Sequence, residues 1–481
     1  MKMRNTLISL GVLIALSAYV YYYEIEGGKK REEKEKAEKK IFQVEEPKVQ
    51  EITLVSAEGE IHGRRDGTGW KILKPVETDG EEYEWNNMAR TAAEISSESR
   101  LEGEKDLKSF GLESPRLKVT VKTGGADQEV LFGDDNPTQS SVYAKTPKGA
   151  DVLMVSSSQF TPFNKKLYDL RQKAALKFNQ DEVQEITLRN PAGSYQFQKE
   201  GEDWKIKSPF QGKADKGEIS SLLSGFSGSV KEFIDKVEPG TSTGLDPGTY
   251  EISLVIGKDR TLKRFKIGSL KSAGTPPAAS PDAEKKDAKE KDKKDKPDAR
   301  SIADLPADAT FYAKDDSRTA VLVVDKYMVE RLNKKIEDFR DKSILALDRS
   351  KLKKIEIIQG SETITLVKEG ESDWVTPDKK KKAKSETVMA MLSAAEYNKA
   401  KRLADPPLDM TVSGLGSPEV RVAFEQEGKP RQELLLGKDT EEGTWAKLAD
   451  EPGAKILEKD FKEKFKVKSA DLLADNTPEK K

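Results

Sequence analysis

The chain has no cysteine and a single histidine, His62, among its 481 residues. Without thiols there are no disulfides, no thiolate metal sites, no cysteine nucleophiles and no lipid anchor on cysteine, while the compartment stays open. One imidazole all but excludes histidine-dependent catalysis and sites built from several histidines. Aromatic residues are sparse at 7%, and neither sign of charge is in excess, with 84 basic and 85 acidic side chains giving a net charge of -1. No global field therefore draws in nucleic acid or anionic lipid. Charged and hydrophobic residues each make up 35%, which fits modules with solvated surfaces better than one fused core. At roughly 150 residues per domain the length accommodates about three.

Long apolar runs are also lacking, with one exception. Thr6 to Tyr23 carries no charge, follows Lys2 and Arg4, and ends in Tyr19, Tyr21, Tyr22 and Tyr23. As a helix it would span about 27 Å, close to a hydrocarbon core of about 30 Å. Tyrosines of this kind suit the membrane-water interface. The expectation is a transmembrane signal anchor over residues 6–23, with a cytoplasmic tail at 1–5 and the bulk of the chain extracytoplasmic (periplasmic). A cleaved signal peptide competes through Ala15-Leu16-Ser17, but that cut would fall before the tyrosines. Lys, Glu and Arg dominate residues 24–46, where Glu32/Lys36 and Glu35/Lys39 lie four apart as in a solvated helical stalk.

What the chain does have is repetition. Val49-Gln50-Glu51-Ile52-Thr53-Leu54 returns unchanged as Val183 to Leu188 and, more weakly, as Leu352 to Ile357. A tryptophan follows each copy at matching distance (Trp70, Trp204, Trp374) and leads to Pro75, Pro209 or Pro377. This half reads as a meander of about three antiparallel strands ended by the proline. Next come three stripes at helical spacing: Trp85, Met88, Ala89 and Ala92; Ile219, Leu222, Leu223 and Phe226; Val388, Met391, Leu392 and Ala395. Each copy then carries a Gly-Leu turn at Gly111, Gly244 or Gly414, where glycine ends a helical turn with positive φ. A strand follows, then a second glycine (Gly133, Gly268, Gly437) and an aromatic-Ala-Lys strand starting at Tyr143, Tyr312 or Trp445. The first two copies close on Asp169-Leu170-Arg171 and Asp338-Phe339-Arg340, and the third is expected to depart there with Lys466-Val467-Lys468. These periods predict an α+β architecture of three tandem repeat modules, each of antiparallel strands with one or two packed helices, over residues 47–172, 173–342 and 343–473, with a tail at 474–481. The second module carries an insertion, 272–300, whose Pro, Ala, Lys and Asp cannot bury a core; it reads as a disordered hairpin extension.

In this order of landmarks the chain resembles a bacterial family, domain-of-unknown-function family 4340. The residues that carry the resemblance are the Ile-Thr-Leu strand, the Trp-x-Ile-x-x-Pro segment, Phe110-Gly111-Leu112-Glu113-Ser114-Pro115, Gly133, Tyr143-Ala144 and Asp169-Leu170-Arg171. It extends over about residues 45 to 470 and fades in the last copy. The resemblance implies a membrane-anchored protein associated with gliding-motility-type ABC transporter components, and it brings no catalytic residues.

Each conspicuous residue has a plain structural reading. The three tryptophans recur at one address, which fits a core between sheet and helix better than a carbohydrate-stacking row. Tyr143, Tyr312 and Trp445 read as half-buried strand residues, and His62 as facing solvent. Asp134-Asp135-Asn136, followed by Pro137, lacks the spaced oxygen ligands of a calcium loop and reads as a turn. Lys379 to Lys382 reads as a solvated loop, with anionic lipid or cell-wall polymer as the alternative. Asp169/Arg171 and Asp338/Arg340 read as ion pairs or helix-end contacts. No catalytic, cofactor-binding or metal-binding residue is assigned. The sequence therefore points to a non-catalytic extracytoplasmic scaffold or accessory subunit, partnered by the membrane and by proteins of a membrane complex. A cell-wall or polysaccharide-binding module and a hydrolase are the alternatives.

Overall fold

The computed structural model describes residues 34–473 apart from 126, 229, 275–301 and 379–380, together with residues 13, 16, 17, 19 and 21. The expected tail at 1–5, nearly all of the expected anchor at 6–23, the C-terminal tail and most of the insertion lie outside the described residues. Among the described residues no helix is long and apolar enough to cross a membrane.

The first copy forms one antiparallel sheet. Its strands are β1 (Glu51–Ser56), β2 (Gly59–Asp66), β3 (Gly69–Lys74), β4 (Thr78–Asp79), β5 (Ser99–Leu101), β6 (Leu117–Lys122), β7 (Gln128–Asp135), β8 (Ser141–Lys145) and β9 (Val152–Ser156). They lie in the order β4-β3-β2-β1-β6-β7-β8-β9-β5. The opening strand is thus central, with Ile52 opposite Gly63 on one side and Val121 on the other. What the sequence presents as a separate meander is one flank of a larger sheet, because β6 pairs with the free edge of β1. The chain reaches the far edge by crossing through helix α1 (Glu82–Glu94). Helix α1 carries acids in its first turn, at the positive end of its dipole, and buries Trp85, Met88, Ala89 and Ala92. Ile52, Leu54, Trp70 and Ile72 of the sheet share that core, and Trp70 stacks on Trp85 with ring centroids 5.4 Å apart. Burial of each large side chain here contributes about 1.5–3 kcal/mol.

The second copy repeats the order. Its strands are β10 (Val183–Asn190), β11 (Gly193–Glu200), β12 (Asp203–Ser208), β13 (Gly212–Lys213), β14 (Glu232–Ile234), β15 (Tyr250–Ile256), β16 (Thr261–Ser272), β17 (Thr310–Asp315) and β18 (Val321–Asp325), with helix α2 (Lys216–Ser224) after β13. The third copy has β19 (Leu352–Gln359), β20 (Glu362–Glu369), β21 (Asp373–Val375), β22 (Arg402–Ala404), β23 (Val420–Gln426), β24 (Gln432–Asp439), β25 (Thr444–Leu448) and β26 (Ala454–Leu457), with helix α3 (Ser385–Tyr397) after β21. Among the described residues, a bridge between Val375 and Lys382 stands where the other copies pair a short fourth strand. Among the described residues the fold is therefore three mostly antiparallel sheets with few helices. Packing groups the chain into two compact units, Met1–Gln196 with Ser220–Lys334 and Phe197–Ile219 with Lys335–Lys481.

The two recurrent glycines have one cause. Gly111, Gly244 and Gly414 sit at φ 66°, 61° and 69°, in the left-handed region that glycine enters without a Cβ clash. The turn they close lies against the strand that carries the second glycine. A Cβ on Gly133 would stand 2.0 Å from the Phe110 carbonyl oxygen, on Gly268 2.1 Å from that of Thr243, and on Gly437 2.3 Å from that of Ser413. The charged lead-in is also more than a stalk, since Phe42 and Val44 are buried in the first core.

Candidate functional site

The closing motif of each copy is defined by its backbone. The Lys166 amide donates to Asp169 Oδ2 at 3.1 Å and the Lys335 amide to Asp338 Oδ2 at 2.9 Å, so each aspartate caps a single helical turn. The next carbonyl accepts from the residue that begins the copy's long helix: Glu81 to Leu170 at 2.7 Å and Asp215 to Phe339 at 2.8 Å. In the third copy Lys384 donates in the same way to Leu472 at 2.7 Å. The third motif is therefore Asp471-Leu472-Leu473, and Lys466-Val467-Lys468 lies just before it. With leucine in place of arginine, the charge signature that marks the other two is gone.

The two arginines each bind an aspartate that follows a short edge strand of the next copy. Arg171 forks Asp235 at 3.1 and 2.5 Å, with its guanidinium 4.6 Å from the centre of the Phe233 ring. Arg340 forks Asp405 at 2.8 and 2.5 Å and lies 4.9 Å from the Phe210 ring. Two parallel charge-assisted bonds plus stacking require a planar fork, which lysine does not offer. The Arg340 guanidinium holds the Asp405 carboxyl below its ordinary value, against the opposing effect of burial. Arg171 is 4% exposed and Arg340 18% exposed, so the first clamp is the drier. A further pair supports the second clamp: Asp215 caps α2 through the Gly217 and Glu218 amides and binds Lys399 at 2.6 Å.

Beside the Arg340 clamp lies a cleft of about 740 Å³. Asp341, Ser343, Leu345, Leu403, Leu448 and Glu451 are among the residues that line it. Lys213, Arg340 and Lys455 line it too, but Arg340 is paired with Asp405 and Lys455 with Glu451, and with Asp341 and Asp450 the lining carries four carboxylates beside its aliphatic side chains.

The remaining candidates find structural partners. Trp70, Trp204 and Trp374 are buried, so they present no stacking row at the surface. Tyr143, Tyr312 and Trp445 are half-buried, and the lysine two residues on turns its ammonium back onto the following turn. Lys145 donates to Gly149 O at 2.7 Å, Lys314 to Thr319 O at 2.6 Å and Lys447 to the Leu448 carbonyl at 3.1 Å. That threefold use explains why lysine recurs there, and nothing in its spacing announced it. His62 does not face open solvent: it is half-buried against Glu51 at 3.1 Å. Asp135 binds Arg116 at 2.6 Å, while Asn136 accepts from the Ser141 amide at 3.1 Å, as a turn requires. Lys379 and Lys380 are outside the described residues; Lys382 pairs with Asp373 at 2.9 Å.

No curated protein and no solved structure matches the chain. A family model described as a domain of unknown function (DUF4340) matches residues 70–247 and 301–396, more than half of the chain. The match begins at the first tryptophan, resumes after the insertion and ends inside α3. With more than half of its length matched, the chain belongs to the DUF4340 family.

Proposed function

We propose that the protein is a non-catalytic, membrane-anchored extracytoplasmic scaffold or accessory subunit of a membrane complex, of the ABC-transporter or gliding-motility type. The observation that carries this reading is the use of the motif arginines. At the same address in two copies, the most distinctive charged residue is committed to a bidentate clamp on the next copy and is covered by an aromatic ring. A group so held serves structure, and a reacting group would need access to substrate. The apolar run Thr6 to Tyr23 supports the anchor, and the family resemblance supports the kind of partner by analogy alone. The test is affinity purification of the full chain from membranes through a C-terminal tag. Membrane transport subunits should be recovered in fixed proportion, and recovery of the chain alone, or of soluble enzymes only, would contradict the proposal.

A further inference from the structure

The segment leading into each copy runs along the short edge of that copy's own sheet. Ile41 N donates to Ile95 O at 3.0 Å and Ser97 N to Lys39 O at 2.8 Å; Ala175 N to Gly228 O at 3.2 Å and Val230 N to Lys173 O at 2.8 Å; Ala400 N to Lys342 O at 2.7 Å. These bonds align Lys39, Lys173 and Lys342, and with them the preceding Glu38, Gln172 and Asp341. In the first two copies the carbonyl at this preceding position accepts a guanidinium from the same copy. Arg100, in the middle of β5, donates to Glu38 O. Arg318, in the turn after β17, donates to Gln172 O at 3.3 Å and Ala174 O at 2.8 Å, and is held at 3.2 Å by Asp315.

The third copy keeps the acceptors and changes the donors. Asp341 and Ser343 stand where Gln172 and Ala174 stand, and the local turn is the same: Asp341 Oδ1 accepts from Ser343 N at 2.9 Å, as Gln172 Oε1 does from Ala174 N at 3.0 Å. Leu403 takes the place of Arg100, while Leu448 and Glu451 take those of Asp315 and Arg318. Glu451 is drawn instead to Lys455 at 2.7 Å. Among the described residues no group donates to the Asp341 or Ser343 carbonyl. The space is the cleft of about 740 Å³, against about 150 Å³ at the first address.

We propose that this cleft receives an arginine side chain of a partner polypeptide, whose guanidinium donates to the carbonyl oxygens of Asp341 and Ser343 as Arg318 does to Gln172 and Ala174. In the second copy a single guanidinium, that of Arg318, reaches both carbonyls, and in the third the stem would lie along Leu345, Leu403 and Leu448. A polypeptide fits better than a small cation because the cleft exceeds one side chain and is walled by β22, an edge strand with backbone groups to offer an extended segment. The inference rests on the scaffold reading and adds the chemistry of the partner's contact.

The test uses the full chain in detergent and fluorescein-labelled Gly-Leu-Xaa-Leu-Gly peptides, with Xaa as Arg, Lys or Gln, followed by anisotropy. The arginine peptide should bind about tenfold or more tighter than the glutamine peptide, as hydrogen bonds from a charged donor imply. Glu451→Arg, which supplies a guanidinium from within, should abolish binding without lowering the melting temperature. Arg318→Ala, which uncovers the equivalent carbonyls, should raise the peptides bound per chain from one to two. Equal binding of the Arg and Gln peptides, or unchanged binding by Glu451→Arg, overturns the proposal. So does competition by free arginine amide as strong as by the peptide, which would make the ligand a small guanidinium compound. Absence of saturable binding overturns it too, and leaves the co-purification test of the scaffold reading standing on its own.

Discussion

Lys462 puts an ammonium where the two earlier copies carry hydrocarbon. It lies six residues before the lysine that opens the closing turn, the place of Phe160 in the first copy and Val329 in the second. It is 1% exposed, and binds Asp439 at 2.9 Å, Glu419 at 3.1 Å and the Gly437 carbonyl at 2.8 Å. In the first copy the matching positions are Arg116, which forks Asp135 and lies over Phe160. The positive charge has thus moved from one member of the trio to another. Removing both carboxylates (Glu419→Gln with Asp439→Asn) strands a buried ammonium and should cost about 3 kcal/mol or more in urea denaturation. Lys462→Met removes the charge itself and should cost less. Burial raises the pKa of Asp439 and of Glu419, but the bonds from Lys462 outweigh it and both end below their ordinary values of 3.8 and 4.5. Stability from such groups is present above those values and is lost as the pH falls through the lowered ones. The stability gap between wild type and Lys462→Met should therefore narrow as the pH falls below 4.5 and on through the lowered values; a gap that stays constant as the pH falls would refute the network. None of this was legible in the sequence, because a lysine at a core address looks like any other lysine until its partners are in place. The tryptophans were legible, since recurrence at one address is what a core residue shows.

At the scale of elements, the clamps make the next set of predictions. Arg171→Ala breaks a pair in which the arginine is almost fully buried, and should destabilise by about 2–3 kcal/mol; Arg340→Ala, with Asp405 63% exposed, should cost about 1 kcal/mol. A double-mutant cycle with Asp235→Ala should recover a coupling energy of at least about 1 kcal/mol, and additive effects would show that the fork contributes nothing. Gly133→Ala, Gly268→Ala and Gly437→Ala should each lower the melting temperature by several degrees, because the added methyl meets a backbone carbonyl. The helices, the glycine turns and most strands were readable from spacing. The pairing of β6 with β1 was not, because it depends on partners some 65 residues apart, and a strand's sequence shows its buried face but not its neighbour. The third closing motif was missed for a similar reason: its address is a backbone hydrogen bond, and Leu473 erased the charge that marked the others. The cleft was invisible as well, since Glu451 acquires meaning only when set against Arg318.

At the scale of the whole molecule, one sheet-and-helix pattern is repeated three times among the described residues. The sequence between β16 and the residues from Ile302 onward should matter little to that. Deleting residues 275–300 should shift the melting temperature by no more than about a degree or two, because a doubling of loop length costs only about 0.6 kcal/mol. A loss of many degrees would show that the segment packs. On the proposed function the motif charges serve structure and perform no chemistry. The most direct measurement compares Asp169→Ala, Arg171→Ala, Asp338→Ala and Arg340→Ala in cells, following melting curve, membrane partners recovered through a C-terminal tag, and the phenotype of the chain's loss. The account predicts that function falls only as stability falls, with the partner set intact in every variant that stays folded. One variant that abolished function with an unchanged melting curve and an unchanged complex would contradict it.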